Sequence, residues 1–486
     1  MDAVEILSFA KFLDKSIRIV EFDSIETVKD VRDSLMVIPE ENSLNLNIIS
    51  EGKIFESDIL IEDFFISKIS KSISPNFPNT KIIDAEGNFV IPGLIDDQVH
   101  FREPGLTHKG NIFSESRSAV AGGITSFFEM PNTQPNTTTI DALNNKYNIA
   151  SENSIANYSF MFGGTNSNLD EILKINTKEV PAVKLFLGSS TGNMLVDDLD
   201  SLENIFSNVN IPIAVHCEDE KTVKDNLKLH IETFGDNIPI NYHPKIRSEE
   251  ACFISSSMAV ALAKKTGARL HVFHLSTAKE LELFSNKIQL KDKQITSEVC
   301  IHHLTFCDED YDKFGSKIKW NPAVKTSNDR EKLWDALNND LIDVIATDHA
   351  PHTIEEKQNP YTSCPSGGPL VQHSLVSMLE AYHNEKISLE KIVQKMCHNP
   401  AILFDVEKRG FIREGFYADL VIFDLNSPWK VSKDNLLYKC NWSPFENKTF
   451  KSRILHTLVN GNLVFSHGKI IESGKGMKIM LSLIHI

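Results

Sequence analysis

Eight short apolar segments recur between residues 94 and 347 with helical patterns between most of them, and few folds accept that alternation. The segments are LIDDQV (94–99), ITSFFE (124–129), NYSFMF (157–162), AVKLFL (182–187), IPIAV (211–215), RLHVF (269–273), ITSEVC (295–300) and DVIAT (343–347). The stretches between them carry helix stop signals: SESRSAVAGG ends at Gly122-Gly123, and ACFISSSMAVALAKKTG ends at Gly267. Strands and helices alternating in this way predict an α/β fold, a (β/α)8 barrel of the TIM type, with its chemistry at the C-terminal strand ends. A doubly wound open sheet is the competing arrangement. It fits less well, because no Gly-rich phosphate loop follows the first strand.

Both flanks have a different texture. Short strand-like pieces, LNIIS, DILIE, FFISKI, KIID and NFVI, precede the barrel, and ADLVIFD and SRILHTLVNGNLVFSHGKII follow it. Two β-rich segments around one long middle section predict a small β-sandwich domain built from both ends of the chain. The expected organisation is 45–92 plus 402–474 for that domain and 93–401 for the barrel. Residues 1–44 are polar and acidic, and are read only as an N-terminal extension or an extra element of the first domain. The tail GKGMKIMLSLIHI carries no legible pattern.

Composition narrows the partners. Lysine and arginine number 50 against 66 acids, a net charge of −16, so the chain repels phosphate backbones and nucleic acid is not expected. No apolar run approaches a membrane span, and Asp2 and Glu5 stand where a signal peptide carries positive charge. Seven scattered cysteines form no C-x-x-C pair, which excludes a thiolate zinc finger and fits reduced thiols. The expectation is a cytoplasmic protein with a small-molecule substrate and no membrane or nucleic-acid partner; a homodimer is left open.

The histidines are more specific. The first strand ends in Gln98-Val99-His100, with Arg102 just beyond; the fourth carries Lys184. The fifth ends at His216, the sixth at His274, and the eighth at Asp348, followed by His349 and His352. Period-two spacing puts residues 98 and 100 on one side of their strand. A single histidine at a strand end is usually structural. Three of them, with an aspartate and a lysine at matching ends of five strands, form a donor set suited to zinc or a similar divalent ion.

DDQVHFREPG, GGITSFFEMPN, AVKLFLG, AVHCEDE, HVFHLST and ATDHAPH, in that order, resemble the cyclic amidohydrolases, and among them the dihydroorotase family; KWNPAVKT and GFYADLVIFD extend the likeness from about residue 46 to 470. The resemblance implies two zinc ions in the barrel mouth. His100 and Asp348 would serve one, His216 and His274 the other, and a carbamylated Lys184 would bridge them. A lysine ammonium has no acceptor and could not do this, whereas its carbamate supplies two anionic oxygens. Some members use an aspartate from the following loop instead, for which Asp197 and Asp198 are the candidates. Asp348 would also be the general base, in the reversible cyclisation of N-carbamoyl-L-aspartate to L-dihydroorotate, a step of pyrimidine synthesis.

Hydantoinases, dihydropyrimidinases and allantoinases share the metal frame, so the ring must be read elsewhere. Dihydroorotate carries a carboxylate, which Arg102 is placed to clamp with its planar fork. By the resemblance Asn132 and His352 complete that pocket and Asn321 contacts the ring. His302-His303 are expected to support the seventh strand, Glu298 to be a buried structural acid, and His108 a local hydrogen-bonding residue. Gly367-Gly368 would let backbone approach the substrate.

One departure stands out. The family motif at the first strand is His-x-His, and here Gln98 replaces the first imidazole with an amide oxygen, a poorer donor to zinc. One of the two ions is therefore expected to be held more weakly. The same departure keeps a reading from another class in view, a non-catalytic partner protein of dihydroorotase type. Against it stands the rest of the donor set, which a degenerate scaffold would have lost together.

Overall fold

The computed structural model describes residues 34–37, 46–74, 81–85, 87–188 and 194–482, the first of these as backbone. Eight parallel barrel strands follow one another as Leu94–Val99, Ile124–Glu129, Asn157–Phe160, Val183–Phe186, Ile213–His216, Leu270–Val272, Ile295–Cys300 and Val344–Ala346. Each pairs with its sequence neighbour, the third reaching the fourth through the short strand Phe162–Gly163. The ring closes where His100 N–H donates to the His349 carbonyl at 2.7 Å, beside a parallel bridge between Val99 and His349. The barrel is why the sequence shows continuous apolar runs: VKLF and IAVH are buried at every position, one face on the interior and the other on helices. Ile95, Phe128, Met161, Ala182, Ala214, Phe273 and Val344 belong to the cluster inside the barrel.

Local signals agree with the helices they start and stop. Glu249–Thr266 is capped by the Ser248 side chain, has Glu249 and Glu250 in its first turn and Lys264 and Lys265 in its last, and ends on Gly267 at φ +82°. Cap, macrodipole and left-handed stop therefore point the same way.

The sandwich is welded to the barrel by one shared sheet. Seven strands run in the order Lys469–Ile470, Asn462–Ser466, Arg453–Val459, Leu420–Asp424, Phe89–Pro92, Asn47–Ser50 and Lys53–Glu56. The opposing sheet is Phe65–Ser70, Asp58–Glu62, Ser34–Val37 and Lys81–Ile83. Alternation divides the shared strands between two cores. Ile48, Val90, Leu420 and Ile422 pack inside the sandwich, whereas Ile49, Ile91, Val421 and Phe423 join the main core. The hairpin linking Arg453–Val459 to Asn462–Ser466 turns on Asn460-Gly461, at φ +50° and +72°, the pair that a tight hairpin turn requires.

Two stretches without a legible pattern have defined places. Ser34–Val37, inside 1–44, is a strand between Asp58–Glu62 and Lys81–Ile83; the rest of 1–44 lies outside the described residues. Near the C-terminus, Tyr158 bonds Met477 and Ile479 on the flank of the third barrel strand, and Ile479 is buried against the barrel's inner cluster. No helix among the described residues is long and apolar enough to cross a membrane.

His373 makes the fold acid-sensitive. Its buried ring faces Trp429 and Phe450, and Nδ1 lies 2.8 Å from the Tyr438 hydroxyl. Burial, with a lesser push from Lys448, lowers its pKa to about 3 from the usual 6.5. The folded state then binds fewer protons than the unfolded one between those values. The ring's contribution is thus complete above pH 6.5 and is lost as pH falls toward 3. Urea melts of the wild type should show stability falling over this window, by up to about 1.4 kcal/mol per pH unit for this ring. The slope should be shallower in His373→Gln; an unchanged slope would mean the folded ring is already charged.

Candidate active site

The C-terminal strand ends meet in one mouth. Gln98, His100, Arg102, Asn132, Lys184, His216, His274, Asn321 and Asp348 line a single cavity there, with Phe186, Trp320, Ala350, Ser366 and Gly367 completing its wall. His352, expected in the same pocket, is not part of that lining and reaches it through Arg102. Gly367 (φ +126°) has no room for a side chain, since a Cβ would lie 2.5 Å from the Ala350 carbonyl oxygen.

His100 is aimed by its neighbours. Its Nδ1 lies 2.8 Å from Asn132 Oδ1, which can only accept, so the ring proton sits on Nδ1 and Nε2 keeps a lone pair. That nitrogen is 3.2 Å from Asp348 Oδ1, a lone pair beside a carboxylate that a shared cation would hold together. Burial lifts the Asp348 carboxyl to about 7, even against Lys184, His216 and Arg102. Gln98 is buried beside them, its Oε1 3.7 Å from the Cys300 thiol.

Across the mouth His216 Nδ1 and His274 Nε2 converge to 3.0 Å, although they come from different strands. His216 Nε2 lies 3.0 Å from Glu218, which also pairs with Arg247. Burial opposes the Glu218 charge, but Arg247 and His216 hold its pKa down at about 2. All three cavity imidazoles are pushed toward the neutral form by burial, which is the form a metal binds.

Lys184 stands between the two groups. Its Nζ is buried without a hydrogen-bond partner, 4.1 Å from the Phe273 ring centroid and 4.8 Å from that of Phe186. Burial lowers it to about 7, against the pull of Glu298 and Asp348. A large share of this amine is therefore neutral near physiological pH. An orphaned buried amine among three neutral imidazoles and a carboxylate is a donor set that fits a metal centre.

Arg102 is a buried fork with a fixed orientation. Its Nε donates to the Pro351 carbonyl at 3.1 Å and one terminal nitrogen meets His352 Nε2 at 3.0 Å. Burial lowers its pKa, but only to about 10, so it stays charged. His352 is held neutral by burial and by Arg102, and on its other side Nδ1 faces Lys109 and Glu356 at 3.1 and 3.4 Å. Three cavity residues have left-handed backbone: Arg102 at φ +71°, His274 at +39° and Asp348 at +47°. Such strain costs on the order of 1–3 kcal/mol per residue and is retained where orientation matters.

Some expectations need correction. Asp197 and Asp198 are exposed and do not reach the cavity: Asp198 caps the helix Leu199–Asn208 and Asp197 accepts from Asn166. His302 and His303, directly after the seventh strand, also support the cavity wall. His302 stacks on Trp320 at 4.3 Å, and His303 Nε2 lies 3.1 Å from the Pro322 carbonyl oxygen. Glu218 was not singled out in the sequence, although a carboxylate two residues beyond a candidate ligand was the signal available.

A closed parallel barrel with imidazoles, a carboxylate and a buried lysine at its mouth defines a class, and the chain belongs to the amidohydrolase family, whose model matches residues 89–464. It is 34% identical over 414 residues to a dihydroorotase of Methanosphaera stadtmanae, covering 84% of this chain and 92% of that one. An allantoinase of Desulfitobacterium hafniense is 28% identical over 440 residues, 89% and 96% of the two chains. Among solved structures, an L-hydantoinase (dihydropyrimidinase) from Arthrobacter aurescens superposes with a TM-score of 0.86 at 28% identity, over 92% of this chain and 99% of that one.

Proposed function

We propose that the protein is a zinc-dependent dihydroorotase, closing N-carbamoyl-L-aspartate to L-dihydroorotate and reopening the ring. The observation that carries this reading within its family is Arg102, a buried, charged, pre-oriented fork on the wall that also holds His100 and Asp348. Only a ring bearing a carboxylate makes use of it.

The donors for metal are His100 and Asp348 on one side, His216 and His274 on the other, with Gln98 and a carbamate on Lys184 as further ligands. Divalent ions held there would supply Lewis acidity, polarising the amide carbonyl and lowering the pKa of water toward ~7. Lys184 can accept carbon dioxide because burial, lowering its pKa to about 7, leaves a share of it neutral: the amine nitrogen bonds the carbon and one proton leaves. Asp348 takes a proton from the attacking water and returns it to the ring nitrogen as the C–N bond breaks; cyclisation runs the same transfers backwards. Arg102 holds the ring carboxylate, His352 and Pro351 hold Arg102, and Asn132 holds His100 with Nε2 turned inward.

Arg102→Ala tests the reading. We expect kcat/KM for dihydroorotate to fall by about a hundredfold or more, the loss of a charge-assisted bidentate contact. Activity on dihydrouracil, the same ring without the carboxylate, should change little. Equal losses on both rings would place Arg102 in the structure of the mouth, not in recognition.

Gln98 gives a second expectation. The His216–His274 side keeps two imidazoles, while the side with His100 and Asp348 has an amide oxygen as its further donor. Chelator titration with bound zinc counted per chain should remove one ion before the other, and Gln98→His should bring the two steps together. Two equally tight ions in the wild type would contradict this.

A further inference from the structure

One layer deeper in the barrel, three fully buried side chains from three strands face one another: Asp97, His271 and Glu298. His271 Nε2 lies 3.3 Å from Asp97 Oδ2 and 3.8 Å from Glu298 Oε2. Neither Asp97 oxygen, nor Glu298 Oε2, nor His271 Nε2 makes a hydrogen bond of acceptable geometry among the described residues. Orphaned polar atoms in a buried core carry a heavy desolvation cost, and one from each residue lies within 4.8 Å of the others, so they need a partner.

The surrounding bonds fix how each group is turned. The Thr296 hydroxyl donates to the Leu270 carbonyl at 3.2 Å, so its oxygen accepts the Nδ1 proton of His271 at 2.9 Å. The other nitrogen, Nε2, is thereby aimed at two carboxylates, as second-shell bonds aim a metal-binding imidazole. Glu298 Oε1 is engaged by the Cys300 thiol and the His274 N–H, each at 3.2 Å, which leaves Oε2 on the inner side. Without a cation, burial opposes charge on His271, but Asp97 and Glu298 hold a proton there, raising its pKa to about 9, and burial raises that of Glu298. A divalent cation would displace that proton, and a neutral imidazole with two carboxylates balances its charge. Donor separations of 3.3–3.8 Å are close to the roughly 3.3–3.6 Å edges of a tetrahedron with bonds of ~2.0–2.2 Å.

We propose that Asp97, His271 and Glu298 bind a structural zinc ion inside the barrel, separate from the ions of the mouth. Each of the three residues supplies one donor atom, and the site is closed to substrate. No ligand is shared with the mouth, so the inference does not rest on the proposed activity.

The test is zinc-edge anomalous scattering from crystals of protein purified and crystallised with zinc. A peak within bonding distance of His271 Nε2 is expected, and Asp97→Asn should lose it together with one zinc per chain. Glu298→Gln is the second variant should the first fail to fold. A wild-type map without that peak overturns the inference, whatever the mouth contains. Peaks in the mouth report separately on the proposed function: an inner peak beside an empty mouth would support this inference while removing the metal reading of the mouth.

Discussion

Asp348→Asn should lower kcat for dihydroorotate ring opening by about 10²–10⁴-fold, the range for loss of a positioned general base, while KM moves only a few-fold. The amide keeps the shape of the carboxyl but cannot carry the proton from water to the ring nitrogen. Asp348 is suited to this task by its place, buried in the mouth on the same wall as Arg102. It also faces His100 at 3.2 Å, so bound zinc must be counted in the variant. A variant with full zinc and full kcat would remove Asp348 from proton transfer.

Lys184 carries the other large effect. Lys184→Ala should lose bound zinc and cut kcat by at least about 10³-fold, because several kcal/mol of charge stabilisation depends on the ions. Lys184→Arg separates the two roles open to this residue. Arginine keeps a cation over Phe186 and Phe273 but cannot form a carbamate, so it should fail as badly as alanine. Substantial activity in Lys184→Arg would mean that the lysine acts only as an inward positive charge.

The mouth was legible in the sequence for a physical reason. Parallel barrel strands are buried on both faces, so polar residues at their ends break an otherwise apolar run, as His216 does in IAVH. Asn460-Gly461 is a local signal of the same kind, a turn chemistry that few other pairs satisfy, inside a stretch read only as strand-like. Relations made only by closure of the barrel leave no local mark, and where one was anticipated, as for His352 beside Arg102, it came from the family resemblance. Asn132 meets His100 across 32 positions, and Arg102 meets His352 across 250. Asp97, His271 and Glu298 sit inside apolar strands on three segments, and nothing local marks them as neighbours.

Asp197 and Asp198 show an opposite failure. A carboxylate before an apolar-periodic stretch is a helix start signal, and Asp198 accepts from Ser201 N–H at 2.8 Å in that role. Family resemblance suggested a ligand where the local pattern already described a cap. Ser34–Val37 was hidden for a further reason: its partners, Asp58–Glu62 and Lys81–Ile83, lie downstream, and its own surroundings are polar.

The central claim is that this mouth opens a carboxylate-bearing cyclic amide ring. The most direct measurement is kcat/KM of the zinc-loaded protein on L-dihydroorotate, dihydrouracil, hydantoin and allantoin, followed by loss of ring absorbance or appearance of the carbamoyl product. The account predicts dihydroorotate ahead of each uncharged ring by about a hundredfold or more, with N-carbamoyl-L-aspartate cyclised in the reverse direction. Turnover of an uncharged ring with none of dihydroorotate, or no turnover at all with the zinc present, would contradict it.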